Sequence, residues 1–218
     1  MHILFALLLL PILARAQSSL PPVLRRAAAA PPTAVARIAG RPVAPVNSET
    51  ARRAVAAPPF LTWSADRPLT VDDFRGRPGA GEKHAALTST TIDARGGCHG
   101  SLSSAEVRAV FDPTTSWVRE PATITEGLLR HEQLHFDLAE LYARLLRLRL
   151  AAAKTPCAQF KDTFSRISRT LYAEWEREQN RYDQETRHGL DAARQVFWER
   201  QTTVRLHQLA AYALKEGA

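Results

Sequence analysis

The segment His131-Glu132-Gln133-Leu134-His135 combines the residue types and spacing that metal-assisted hydrolysis requires. Residues four apart on a helix stand one turn above each other, so both imidazoles can aim a nitrogen at one point, about 2.0–2.1 Å away if zinc sits there. Glu132 projects beside that point and predicts a general base. Bound zinc lowers the pKa of a water and polarises a carbonyl, while a carboxylate such as Glu132 takes the proton. A catalytic zinc needs a third protein ligand and one open position. Asp137 and Glu140 follow on the same helix at angles that point away. Of His84, His99, His188 and His207, His188 stands out, in the polar run Tyr182-Asp183-Gln184-Glu185-Thr186-Arg187-His188-Gly189.

Three long helices must carry these residues. Leu128, Leu134, Leu138, Leu141, Leu145 and Leu148 recur at threes and fours through the histidine pair, predicting an amphipathic helix to about Ala153. Thr123-Ile124-Thr125-Glu126 has capping-box spacing at its start, and Pro156 ends it. A second helical pattern runs from about Ala158 or Asp162 to Arg187 with Gly189 as its stop, and a third from about Asp191 to Leu214. Upstream, Phe60–Trp63, His84–Ala94 closed by Gly96-Gly97, and Val107–Phe111 read as strands of a small, mostly antiparallel sheet. The fold class expected is α+β, the sheet followed by the helices. His135 to Pro156 spans about 32 Å of helix and Asp162 to His188 about 39 Å. Antiparallel neighbours of those lengths return His188 to the histidine turn. Glu185, one turn earlier, becomes an outer-sphere acceptor or alternative ligand, and Tyr182 or Arg187 a partner for a developing oxyanion.

The N-terminus predicts where this chemistry operates. An apolar run from Ile3 to Leu13 ends in Ala14-Arg15-Ala16, a small-x-small cleavage pattern, so residues 1–16 read as a signal peptide. Residues 17–59 are rich in Ala and Pro without helical or alternating period and read as a disordered linker; residues 60–218 form the folded domain. The expected location is periplasmic or secreted. Two cysteines occur, Cys98 and Cys157, and an exported chain with an even count pairs them. The net charge of +7 comes from arginines mixed with acids along the helices, which excludes a nucleic-acid patch and leaves a weak attraction to anionic envelope components.

Leu61-Thr62-Trp63, Asp72-Asp73-Phe74-Arg75-Gly76, Ser116-Trp117-Val118, the helix motif through Asp137, and Tyr182-Asp183-Gln184-Glu185-Thr186-Arg187-His188-Gly189 with Gln195 and Trp198 resemble a bacterial family of exported proteins. That family is catalogued as domain of unknown function 922 and described as secreted zinc-dependent proteases. The resemblance covers residues 60–215. It implies a zincin-like fold with His131, Glu132 and His135 as the helix motif and His188 as the match to a later Thr-x-His-Gly element. The function expected is an exported zinc-dependent metallopeptidase acting on peptide or protein substrates, with Zn2+ as cofactor. Two other readings stand beside it. Glu132-Gln133-Leu134-His135 and Glu185-Thr186-Arg187-His188 share the Glu-x-x-His spacing of carboxylate-bridged dimetal bundles. A non-catalytic, zinc-binding envelope protein would need the helices but not Glu132.

Overall fold

A computed structural model describes residues 60–214. The expected signal peptide 1–16 and linker 17–59 lie outside the described residues. Five strands precede three long helices: β1 (Leu61–Thr62), β2 (Ala86–Leu87), β3 (Thr90–His99), β4 (Leu102–Phe111), β5 (Trp117–Val118), α1 (Glu126–Ala153), α2 (Cys157–Thr186) and α3 (Ala192–Gln208). The fold is α+β, as the periodicities predict.

The sheet departs from expectation in its partition. β3 and β4 form an antiparallel hairpin from Thr90↔Phe111 to His99↔Leu102, and β1 pairs with the far edge of β4. The run His84–Ala94 splits instead of forming one strand, because Ala86 and Leu87 pair with Val118 and Trp117 in a separate two-stranded ribbon. Gly96 and Gly97 do not close β3 but lie inside it. At Gly96 the Phe160 ring of α2 comes so near that a Cβ would lie 2.8 Å from it, which only glycine accommodates.

Local signals set the helix ends. Thr125 caps α1, its hydroxyl accepting from the Leu128 amide at 3.2 Å, whereas the expected capping box at Thr123 is absent because Thr123 belongs to a short 3-10 turn. Lys154 in the left-handed region (φ 43°) ends α1, and Pro156 stands just before α2. The sulfurs of Cys98, at the end of β3, and Cys157, the first residue of α2, are bonded, with Cα atoms 5.8 Å apart. They tie the hairpin to the α1–α2 turn.

α1 is buried on two stripes. Phe136, Ala139, Ala143 and Leu146 pack on Ile92, Val107, Ala109 and Phe111 of the hairpin. Leu134, Leu138 and Leu141 pack on Tyr182 of α2 and Trp198 of α3. His131 and His135 extend this second stripe toward the chain's earlier end, where it opens into a cleft. No helix among the described residues is long and apolar enough to cross a membrane.

Candidate metal centre

The first turns of α1 and the last turn of α2 meet as the helix lengths predict. His131 Nε2 and His135 Nε2 lie 3.2 and 3.1 Å from one oxygen, Oδ1 of Asp183. The three side chains form a group able to hold a metal ion.

Their outer partners decide which ring nitrogens are free. Gln195 donates from Nε2 to Glu199 Oε1 (3.0 Å), so its Oε1 faces His131 Nδ1 at 3.3 Å. Gln179 donates from Nε2 to the His135 carbonyl (3.0 Å), so its Oε1 faces His135 Nδ1 at 2.6 Å. An amide oxygen only accepts, so each Nδ1 carries the proton and each Nε2 offers a lone pair. Two lone pairs and a carboxylate oxygen therefore converge with no proton between them. Asp183 Oδ1 is accordingly a buried acceptor without a hydrogen-bond donor. Such a constellation suits a cation.

The electrostatics carry the same demand. Burial alone would raise the Asp183 carboxyl, but the facing imidazoles, once they take up a proton at Nε2, hydrogen-bond to it and attract it strongly enough to hold the group well below the usual carboxylate range. Burial would lower His135, yet Asp183, Glu132 and Gln179 together raise it. Without a metal the pocket draws a proton to the place a divalent ion would occupy.

Glu132 is buried and lines the same cleft as His131, His135 and Asp183, a space of about 970 Å³. No hydrogen bond to its carboxylate is found among the described residues, which leaves it free toward the cleft. His188 also lines the cleft. It is more than half exposed, its Nδ1 3.5 Å from the same Asp183 oxygen, and it stands outside the compact three-residue group. The residue brought between the two imidazoles is Asp183, which helical spacing in the sequence does not single out. α2 ends at Thr186, and Arg187 (φ 53°) and His188 (φ 54°) are left-handed, so the loop and not the helix sets the His188 ring.

The other expected residues divide. The Tyr182 ring is fully buried, stacked on His131 with centroids 4.7 Å apart, and its hydroxyl donates to Gln195 Oε1 at 2.8 Å. It therefore cannot meet an oxyanion in the cleft; it orients the glutamine that orients His131. Glu185 accepts from Trp198 Nε1 (3.0 Å) and pairs with Arg194, so it is neither ligand nor acceptor at the centre. Arg187 lies on the cleft wall, exposed. Asp137 accepts from Trp63 Nε1 and Gln133 Nε2, and Glu140 pairs with Arg144 and Arg147, both away from the centre as expected.

Residues 71–189 match a family described as a bacterial protein of unknown function (DUF922). The chain belongs to this family. The DUF922 match begins at Val71 and ends at Gly189, short at both ends of the 60–215 span of the sequence resemblance. It contains His131, Glu132, His135, Asp183 and His188, while Gln195, which orients His131, lies beyond it on α3. No curated protein and no solved structure matches the chain.

Proposed function

We propose that this DUF922 member is an exported, zinc-dependent, zincin-like metallopeptidase. The observation that carries the reading is the convergence of two unprotonated Nε2 atoms on Asp183 beside an unengaged, buried Glu132. Two imidazoles and one carboxylate from two helices are a ligand set for zinc that leaves a position open toward the cleft. When bound there, the ion supplies an acidified water and a Lewis acid for a scissile carbonyl. Gln195 and Gln179 keep His131 and His135 in the ligating tautomer. Glu132 accepts the proton of the attacking water and returns it to the leaving amine. The glutamate is what distinguishes a hydrolase from a structural zinc protein. The dimetal alternative loses its support because Glu185 is held by Trp198 and Arg194. The bonded cysteines fit an oxidising compartment.

The test is Glu132→Gln in the zinc-loaded mature protein. Metal content by mass spectrometry should stay at one ion per chain, while cleavage of unfolded casein should fall by roughly 100-fold to 10,000-fold. Unchanged cleavage would remove Glu132 from the role of general base, and a wild-type protein that binds zinc but cuts nothing would leave the structural zinc protein as the better reading.

A further inference from the structure

One end of the cleft is basic and built on two fixed loops. His84 and His188 face each other with ring centroids 5.3 Å apart. Each is preceded in the chain by a cation, Lys83 and Arg187, and all four residues line the cleft. Neither Lys83 nor Arg187 has a carboxylate within ion-pair distance among the described residues. Across the molecule many arginines are engaged by acids, as Arg67, Arg144, Arg147, Arg149 and Arg205 are, so these two charges are available to something else.

Neither loop hangs free. The Arg119 guanidinium donates to the Glu82 carbonyl at 2.5 Å and the His84 carbonyl at 3.1 Å, and the Arg119 amide donates to the Ala85 carbonyl at 2.8 Å. That clamp fastens the Lys83-His84 turn to the end of β5. On the opposite wall, the His188 amide donates to the Asp183 carbonyl (2.9 Å) and the Asp191 amide to the Thr186 carbonyl (2.8 Å), locking the turn that carries Arg187. Backbone turns held in place before a ligand arrives present their side chains at lower entropic cost than mobile loops would. A guanidinium and an ammonium lining one cleft match a carboxylate in charge and donor geometry, while the two imidazoles between them already face acids, His84 with Glu82 at 3.7 Å and His188 with Asp183 at 3.5 Å.

We propose that this end of the cleft is a carboxylate subsite, so that the preferred substrates are peptides presenting an acidic group close to the scissile bond. The proposal rests on the metallopeptidase reading for its orientation of substrate, but the binding it predicts does not require hydrolysis. The group can be a C-terminal carboxylate or an acidic side chain, and both offer the same two oxygens.

The experiment measures binding calorimetrically to the zinc-loaded Glu132→Gln protein, using three N-acetylated five-residue alanine peptides. One has a free C-terminus, one is amidated, and one is amidated with its central alanine replaced by glutamate. At least one acidic peptide should bind about tenfold tighter than the neutral one, the size of a single charge-assisted contact in a half-exposed site. The free-terminus peptide winning identifies a terminal subsite, and the glutamate peptide winning identifies a side-chain subsite. Lys83→Gln with Arg187→Gln should abolish the preference while leaving zinc content unchanged. Equal affinities for all three peptides, no binding of any, or a preference that survives the double substitution overturns the proposal. Failure of the hydrolase reading shows separately, in the casein assay of the wild-type protein.

Discussion

A glutamine on each side of the histidine pair leaves the Nε2 lone pairs facing Asp183, and His188 stands at the rim of that arrangement. The histidine spacing made His131, Glu132 and His135 legible in the sequence, since period and chemistry coincide there. Asp183 was not legible, because carboxylates abound on α2 and only the packed position of Tyr182, one residue earlier, aims Asp183 at the histidines. A signal did exist: Tyr182 sits on the buried stripe of α2, so its neighbour emerges at the stripe's edge. If Asp183 is the third ligand, Asp183→Asn should cost zinc affinity more than the roughly 10- to 100-fold that losing an outer-sphere partner costs. His188→Gln should cost less than about tenfold, because its ring only borders the group. Competition titration with a chromophoric chelator measures both. The reverse order would return the ligand role to His188 and make Asp183 the residue that orients it.

At the level of elements, the centre depends on how α2 stops. A plain helical continuation would carry Arg187 and His188 past the end of α1, but two left-handed residues followed by Gly189 (φ 80°) turn the chain back against His131. A Cβ at Gly189 would lie 3.0 Å from both Cβ and Cγ of His131. Glycine is needed there for backbone freedom and for room. The sequence showed this glycine as the helix stop, but α2 ends at Thr186 with Arg187 as its left-handed cap, and the contact of Gly189 with His131 belongs to tertiary packing that periodicity does not encode. The same limit explains α1, which reads as one apolar face and is buried on two, and the ribbon of β2 and β5, whose two-residue strands are too short to show alternation. Gly189→Ala should lower stability by about 1–3 kcal/mol through the strained backbone, and weaken zinc binding further by displacing the His131 ring. Thermal melts with and without zinc separate the two effects. Wild-type zinc affinity in a destabilised variant would mean that the ring does not move.

Across the whole molecule, buried ion pairs hold the three helices and the hairpin in register around the cleft. Arg147 donates to the Val107 carbonyl of β4 and the Tyr212 carbonyl beyond α3, while pairing with Glu140 of α1. Glu178 of α2, nearly buried, accepts from Arg205 of α3 at 2.5 Å and from the Tyr142 hydroxyl of α1 at 2.5 Å. These long-range partners are invisible in a charge count, which reads the same residues as solvated faces. Their energetics predict a pH response. Burial pushes the Glu178 carboxyl up, but the hydrogen bonds from Arg205 and Tyr142 outweigh it and hold it below its ordinary value of 4.5. A carboxyl depressed in the folded state binds its proton more readily when unfolded. Its contribution to stability is therefore complete above pH of about 5 and is lost as the pH falls below 4.5 toward the folded value. Asp73, held low by Arg67 and Thr70 against the opposing effect of burial, adds to the same acid limb. Glu178→Gln keeps the Tyr142 hydrogen bond but leaves Arg205 without its counter-charge. It should cost about 2 kcal/mol at pH 7, less than a fully enclosed pair because Arg205 keeps partial exposure to water. The decisive measurement is urea unfolding at pH 7, 5, 4 and 3.5 for both proteins with zinc removed by a chelator. The wild-type curve should fall toward the variant's as Glu178 protonates, so that the gap between them narrows with acid. A gap that stays constant over this range would mean that Glu178 does not titrate with folding, and that Arg205 and Tyr142 hold the helices by shape alone.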